Sequence, residues 1–310
     1  MAEITIFTAP KPFINPHVAL IQRNAIESWT HLGKDVDVVV IGDEEGIEEV
    51  CGDLNVRHLA KVQRNDFGTP LVNSIFQVAR DASSSPILVY VNADVIFFPE
   101  MVERILAVAR REKKFLLVGQ RWDLDLRERI NFSGNWNDWL NQQIASRGRL
   151  HPRGGSDYFA FPRECFNDMP AFAIGRAGWD NWMFYKARYE GWKLIDATQD
   201  IRIVHQDHDY SHLPQGQPHY RLPETDENIR LAGGKRAIFN LLDADFTLED
   251  GEIIPARMTN EKLAREIEIY PLARWHSVIL GQITFALFHP LKAWKELRAA
   301  LGKKRNQARG

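Results

Sequence analysis

Apolar runs and amphipathic segments alternate along the first 120 residues of the chain. Short runs rich in β-branched residues predict buried strands, and the segments between them carry apolar residues at helical spacing. Asn15-Pro16 and Thr69-Pro70 each predict a helix start, with a capping side chain followed by proline at the first helical position. This order predicts a mostly parallel sheet covered by helices on both faces. The predicted strands cover residues 4–9, 36–42, 56–59, 87–98 and 115–119.

The apolar run at 86–99 reads PILVYVNADVIFFP and is interrupted once, by Asn92-Ala93-Asp94. A run this apolar is typical of a central parallel strand that is buried on both faces. A polar triplet within it indicates the carboxyl edge of the sheet, where ligands bind in open α/β folds. The Asp94 carboxylate could there hold a divalent cation, and the neutral Asn92 could contact a ribose or a metal-bound water.

The pattern becomes less regular after residue 121. A glycine turn enters a strand at 154–162, a helix is predicted over 178–190, and a long polar loop is predicted over 206–234. A loop of that length in a compact domain is usually a lid or a binding loop. Further short strands are predicted at 192–195, 201–204, 247–248 and 253–254, and helices after about residue 260.

Composition narrows the class of protein. The chain has 310 residues, 45% hydrophobic content and a formal net charge of −2, so it can bury a large core and has no global excess of positive charge for nucleic acid. Cys51 and Cys165 are too few for a disulfide framework and predict buried thiols of a reducing compartment. No apolar run approaches the roughly 20 residues of a membrane span, and no signal segment is seen at the N-terminus. We therefore expect a cytoplasmic protein.

Positive charge is concentrated in the C-terminal segment of the chain. After His289 the chain carries seven basic residues and one acidic residue, a net charge of +6, so the preceding part carries −8. Apolar and basic residues alternate there at helical spacing, from Trp275 onward. Two interpretations stay open: an anchor on the inner face of a membrane, or a packed C-terminal helix with a solvated basic end.

Two further segments carry candidate donor-binding residues. Asp43 directly follows the second strand, where it could contact a nucleoside or cap the next helix. The segment 64–73 places Asn65, Asp66 and Asn73 around Gly68 and before a predicted helix, which would let backbone approach a ligand closely.

Acid–base and metal-binding candidates follow later in the chain. Asp180 lies in the first turn of a predicted helix between two tryptophans, where a partly dehydrated carboxylate could act as a general base. His205 closes a predicted strand and is followed by three more histidines within fifteen residues, namely His208, His212 and His219. His205 could complete the cation site begun by Asp94. A zinc hydrolase is disfavoured, because it would need a third ligand and a helical frame, and the residues that flank His205 and His208 do not have a helical pattern.

These residues together resemble a glycosyltransferase of the GT-A fold, of the large family 2 type, over roughly residues 3–212. The resemblance is carried by Asp43, by the Asn65–Gly68–Asn73 pattern, by Asn92-Ala93-Asp94 in place of Asp-x-Asp, by Asp180, and by His205 with His208 second. The strand sequence GGSDYFAFP resembles the segment that lines the donor sugar and points to Ser156 and Asp157.

The resemblance implies a Rossmann-like α/β fold, with a transferase domain at 1–235 and a C-terminal extension of basic amphipathic helices at 236–310. Residues 1–120 would bind the nucleotide sugar and 121–235 the acceptor. The implied reaction moves a sugar from a UDP- or GDP-sugar to a glycan or other hydroxyl acceptor, with inversion. Asp180 would be the base, and Mn²⁺ or Mg²⁺ would be held by Asp94, His205 and His208. The implied donor-site residues are Thr8, Ala9, Asp43, Asn65, Asp66, Asn73, Asn92, Ala93, Ser156 and Asp157.

Aromatic residues predict the acceptor site, because sugar rings stack their C–H faces on indoles. The candidates are Trp122, Trp136 and Trp179, with core packing as the alternative for each. Two other functions stay open for the whole chain: a non-catalytic carbohydrate-binding protein of the same fold, and a sugar-nucleotide pyrophosphorylase. The second is disfavoured because residues 8–13 after the first strand contain no glycine.

Overall fold

The structure is a computed structural model that describes residues 2–208 and 222–307, with side chains described as far as residue 299. Within these residues the chain forms two sheets flanked by ten α-helices. The strands are β1 (Ile4–Thr8), β2 (Val36–Ile41), β3 (Arg57–Leu59), β4 (Ile87–Val91), β5 (Val95–Phe97), β6 (Phe115–Val118), β7 (Trp122–Leu124), β8 (Arg149–Leu150), β9 (Tyr158–Pro162), β10 (Lys193–Asp196), β11 (Ile203–Gln206), β12 (Phe246–Glu249) and β13 (Glu252–Pro255).

The helices account for most of the remaining described chain. They are α1 (Pro16–Thr30), α2 (Ile47–Leu54), α3 (Val72–Ala82), α4 (Glu100–Arg111), α5 (Trp136–Arg147), α6 (Trp179–Tyr189), α7 (Pro223–Leu231), α8 (Asn260–Ala273), α9 (Val278–Phe288) and α10 (Pro290–Gln307). The predicted start of α1 is confirmed, since the Asn15 side chain accepts from the backbone N–H groups of His17 and Val18.

The larger sheet has nine strands in the order β13-β12-β10-β6-β9-β4-β1-β2-β3. All neighbouring pairs are parallel except those made by β9 and β13. The mostly parallel sheet flanked by helices, predicted from the alternating pattern, is therefore confirmed. Because β9 runs antiparallel between β4 and β6, its first residues lie at the carboxyl ends of its neighbours.

Both faces of the sheet are buried, as the apolar strands predict. Odd and even residues of each central strand enter different cores: Phe7 and Tyr90 pack on one side, Ile6 and Val89 on the other. A third core lies under the smaller sheet, whose order is β5-β11-β7-β8. The two cysteines are buried and free.

Two predicted elements were wrong in their limits. The run 87–98 is two strands, because the chain turns at Ala93-Asp94 and the second piece, β5, joins the smaller sheet. Thr69-Pro70 does not begin a helix: Pro70 pairs with Arg64 in an isolated bridge, and α3 starts two residues later without a side-chain cap.

The predicted loop over 206–234 is also corrected in part. Gln206 ends β11, and Pro223–Leu231 is the helix α7. The middle of that loop, with His212 and His219, lies outside the described residues. The irregular stretch 121–153 contains β7, β8 and α5.

The C-terminal helical extension agrees with the sequence pattern. Helix α8 packs on the main body through Ile269, Leu272 and Ala273, and α9 and α10 follow it. Throughout 2–208 and 222–307, no helix is both long enough and apolar enough to cross a membrane.

Candidate functional site

Charged side chains from distant parts of the chain meet at the carboxyl edge of the larger sheet. Lys11 follows β1, Asp94 follows β4, Asp157 precedes the antiparallel β9, and His205 lies in β11. The register of β4 with β9 places Val91 opposite Tyr158, so Asn92 and Asp157 are neighbours. The fold therefore brings together residues that are up to about 200 positions apart in sequence.

Asp94 is the centre of this cluster. Its side chain is buried, and its Oδ2 lies 3.0 Å from His208 Nε2 and 3.9 Å from His205 Nε2. Burial opposes ionisation, but the positive charges of His205, His208 and Lys11 hold the pKa of Asp94 well below its usual range. Within the described part of the chain, no group donates a hydrogen bond to Asp94 Oδ1. A buried carboxylate oxygen without a hydrogen-bond partner costs free energy unless a ligand binds it.

His205 joins Asp94 to a second carboxylate. Its Nδ1 lies 3.3 Å from Asp123 Oδ1, in an ion-pair contact and not a hydrogen bond. Burial lowers the pKa of His205, but Asp94 and Asp123 outweigh this effect and raise it to about 9. Asp123 is itself held by Arg121, at 2.9 Å, and by His151, at 2.7 Å.

Asp157 and Asn92 belong to the same cluster and are hydrogen-bonded to each other. Asn92 Nδ2 donates to Asp157 Oδ1 at 2.8 Å, and Asn92 Oδ1 accepts from the Tyr90 hydroxyl at 3.0 Å. Arg121 also contacts Asp157. The nitrogen and the oxygen of the Asn92 amide thus both make hydrogen bonds within the protein, so Asn92 holds Asp157 in place.

The three residues Asp94, His205 and His208 offer ligand atoms that all lie within 4.8 Å of one another. One carboxylate and two imidazoles, together with the unpartnered Oδ1, fit a divalent cation. A second trio of Asp123, His205 and Asp207 has similar spacing. We interpret it as support for His205, because Asp123 already binds Arg121 and His151 while Asp207 binds Arg149 at 2.8 Å.

Lys11 places an ammonium group beside the same atoms. Its Nζ lies 3.4 Å from His208 Nε2, and it is attracted by both Asp94 and Asp157. Burial lowers the pKa of Lys11, while those two carboxylates oppose the shift. A half-buried ammonium group next to a cation site is suited to bind a multiply charged anion.

Asp180 lies in the first turn of α6, where it is partly exposed. Burial and the nearby Asp157 raise its pKa, while backbone N–H groups of Asn181 and Gly178 oppose the rise. Gly178 donates to Asp180 Oδ1 at 3.2 Å from a left-handed backbone conformation, with φ of 110°, which favours glycine. A carboxylate with a raised pKa is suited to take up a proton.

Two of the predicted donor-site residues share a cavity. Asp43 and Asn73 line a space of about 750 Å³ with Gln63, Ser74 and Gln77. Asn73 Oδ1 is buried, and nothing in the described chain donates to it. Asp43 also contacts Arg64, which binds Glu44 at 2.8 Å.

The predicted loop residues Asn65 and Asp66 have different surroundings. Asn65 Oδ1 accepts from the backbone of Phe67 and Thr69, and its Nδ2 donates to Glu224 at 2.6 Å. Asn65 therefore shapes the turn and ties it to α7. Asp66 is exposed at the tip of that turn.

The other predicted donor-site residues are mostly buried. Thr8 and Ser156 have hydroxyl groups with no hydrogen-bond partner in the described chain. Ala9 packs against a core, and Ala93 is 9% exposed in the turn before Asp94.

The predicted acceptor tryptophans lie mainly in cores. Trp179 is 6% exposed and packs edge-on against Tyr90 at 5.0 Å, so its indole face is not available to a sugar and this prediction is corrected. Trp136 stacks on Phe98 at 5.9 Å but also lines a cavity of about 310 Å³ with Trp139. Trp122 is half-buried in β7 above the third core.

Sequence reasoning missed four members of the cluster: Lys11, Arg121, Asp123 and His151. Arg121 lies three residues after the end of β6, and Asp123 lies in the short strand β7; the position of Arg121 just beyond a buried strand was a usable signal. Lys11 and His151 lie in loops whose course the pattern of apolar residues does not determine.

Comparisons with known proteins give only distant similarities. No family model matches the chain, and no curated protein matches its sequence. The structure is similar to a glucosyl-3-phosphoglycerate synthase of M. tuberculosis, with 14% identity and a TM-score of 0.46, over 75% of this chain and 81% of that chain. The same enzyme in complex with Mn²⁺, UDP and phosphoglyceric acid shows 16% identity and a TM-score of 0.43, over 68% and 73%.

A third solved structure is a mannosyltransferase from Pyrobaculum calidifontis in complex with GDP-Man and Mn²⁺. It shows 12% identity and a TM-score of 0.41, over 65% of this chain and 56% of that chain. Similarities at this level assign no activity to the chain, so its function has to be argued from its own residues.

Proposed function

We propose that the protein is a metal-dependent glycosyltransferase that moves a sugar from a nucleotide-diphosphate donor to a hydroxyl acceptor, with inversion. The observation that supports this most is the buried Asp94 carboxylate, with one oxygen unpartnered, beside two imidazoles and the Lys11 ammonium at the carboxyl edge of the sheet. A site with cation ligands and a fixed ammonium group suits a diphosphate that gains negative charge as it leaves.

Asp94, His205 and His208 would hold the cation, which when bound neutralises charge on the diphosphate. Two nitrogen ligands favour Mn²⁺ over Mg²⁺, because Mg²⁺ prefers oxygen ligands and keeps its waters. Asp123 positions the His205 ring, since its carboxylate faces Nδ1 and leaves Nε2 towards Asp94.

Lys11 would donate to a diphosphate oxygen, and Asp43 and Asn73 would line the nucleoside cavity. Asp180 would accept the proton of the acceptor hydroxyl as its oxygen bonds to the anomeric carbon. The bond from that carbon to the diphosphate breaks at the same time, and its electron pair leaves with the diphosphate. Attack opposite to the leaving group gives inversion.

Release of nucleoside diphosphate tests the proposal. The protein with Mn²⁺ is incubated with UDP- and GDP-sugars and simple glycan acceptors, and the freed diphosphate and new glycoside are measured. Asp180→Asn should lower transfer by about 10²- to 10⁴-fold while diphosphate binding stays near normal. Asp53→Asn is the matched control, because Asp53 is an exposed carboxylate paired with Arg23.

Near-normal transfer by Asp180→Asn would show that another group is the base. Pyrophosphate release from a nucleoside triphosphate and a sugar phosphate would support the pyrophosphorylase instead. Sugar binding without cation dependence or donor turnover would support the non-catalytic binding protein.

A further inference from the structure

The last three helices expose large apolar side chains. Leu291 is 78% exposed, Ile279 75% and Leu287 74%, and Trp294 and Ile283 are more than half exposed. We call these five residues the C-terminal apolar face. Soluble proteins seldom expose so many large apolar residues in one short segment unless a partner covers them.

The side of α9 opposite to the C-terminal apolar face packs against the protein and so fixes the orientation of the helix. Gly281 faces Leu272 of α8 so closely that a Cβ there would lie 3.3 Å from the Leu272 Cβ. Phe285 is buried beneath the Arg236 guanidinium, at 3.2 Å from the ring centroid. Because Ile279, Ile283 and Leu287 are spaced by four residues, they share the side of α9 that these contacts leave outward.

Helix α10, which packs against α9, adds exposed apolar side chains and positive charge. Leu291 and Trp294 alternate with Lys292, Lys295 and Arg298, all of which are exposed. The segment after His289 carries a net charge of +6 in a chain that is otherwise acidic. An apolar arc bordered by basic residues and tryptophan is typical of helices that lie in the headgroup region of a membrane.

We propose that the C-terminal apolar face inserts into the surface of a membrane rich in anionic lipid. Helix α9 has 11 residues and is about 16 Å long, which is too short to cross the roughly 30 Å hydrocarbon layer, so it would lie in the plane of the surface. A second copy of the chain is the weaker occupant. A symmetric dimer through this face would bring two strongly basic segments together, whereas anionic headgroups would neutralise them.

Vesicle flotation of the full chain tests this proposal. Vesicles of phosphatidylcholine alone are compared with vesicles containing about a third phosphatidylglycerol. We expect the protein to float with the anionic vesicles and to bind the neutral ones at least about tenfold more weakly. Leu287→Asp should weaken binding at least about tenfold, because a leucine is replaced by a charge at the apolar boundary. Ile14→Asp is the matched control, since Ile14 is 64% exposed and lies outside the last three helices.

A triple variant with Lys292→Gln, Lys295→Gln and Arg298→Gln separates the charge from the apolar contact. It should retain less than a tenth of the binding to anionic vesicles. Failure of the wild type to bind either kind of vesicle, or equal binding by Leu287→Asp, would overturn the proposal. A concentration-dependent dimer that Leu287→Asp disrupts, without vesicle binding, would assign the face to a second copy.

The readout is independent of the proposed activity. Melting of Leu287→Asp with Mn²⁺ and nucleoside diphosphate should match that of the wild type. Loss of vesicle binding and loss of nucleotide binding can therefore be told apart.

Discussion

Mn²⁺ affinity should depend steeply on pH because of one residue. His205 faces the carboxylates of Asp94 and Asp123, which together outweigh the effect of burial and raise its pKa to about 9 in the metal-free protein. A protonated imidazole cannot bind a metal, so each Mn²⁺ that binds must displace the His205 proton.

The size of the effect follows from that value. Below a pKa of about 9, displacing one proton costs about 1.4 kcal/mol per pH unit. Raising the pH from 6 to 8 should therefore tighten Mn²⁺ binding about a hundredfold, or about 2.7 kcal/mol. Titration calorimetry in buffers of low and high ionisation enthalpy, at pH 7, should show about one proton released per Mn²⁺ from this residue.

His205→Asn should bind Mn²⁺ more weakly and with a flatter pH profile. His31→Asn is the matched control, because His31 is exposed and stacks on Phe132 away from the cluster. Affinity that stays constant between pH 6 and 8 in the wild type, or an unchanged profile in His205→Asn, would refute the assignment of His205 as a ligand.

The raised pKa of His205 also affects folding stability in the absence of metal. Since the folded-state pKa of His205 is raised from 6.5 to about 9, its contribution is complete below pH 6.5 and is lost as the pH rises through about 9. A shift of this size corresponds to about 3 kcal/mol. Denaturant unfolding with a chelator present should therefore show lower stability at pH 9 than at pH 6.5, and added Mn²⁺ should reverse the trend.

Three further substitutions test individual contacts. Asp123→Asn should weaken Mn²⁺ binding about 10- to 100-fold by releasing the His205 ring, as measured by calorimetry, and an unchanged affinity would remove its positioning role. Lys11→Met should weaken diphosphate binding about 10- to 100-fold with little change for Mn²⁺ alone, and an equal loss of both would argue against an anion contact. Arg188→Met should lower the free energy of unfolding by about 3 kcal/mol in urea, because its buried guanidinium binds Glu266 at 2.7 Å and the Asp243 carbonyl, and its removal leaves Glu266 with the longer contact to Lys262, at 3.3 Å.

The central residues could be predicted from sequence because strand pattern and sheet topology act together. A buried run that is interrupted at Asn92-Ala93-Asp94 indicated the carboxyl edge for Asp94, and His205 was found because it lies in another short apolar strand. The helix α1 was predicted for a local reason, its Asn15 cap.

Other features depend on contacts between distant segments. The break between β4 and β5 arises because β5 pairs with β11, and Lys11 reaches His208 across 197 positions of sequence. Thr69-Pro70 has the local pattern of a helix start, but pairing of Pro70 with Arg64 overrides it. The role of Trp179 could not be predicted for the same reason, because only the tertiary fold buries its indole against Tyr90.

Thermal melting with nucleoside diphosphates, with and without Mn²⁺, tests the central claim most directly. A ligand that binds only the folded state raises the melting midpoint by mass action, by an amount that grows with its concentration relative to Kd. We predict that one diphosphate raises the midpoint in the presence of Mn²⁺, that chelation removes the shift, and that Asp94→Asn abolishes it. No shift with any diphosphate, or an equal shift in Asp94→Asn, would contradict a cation-dependent nucleotide-sugar site at this edge of the sheet.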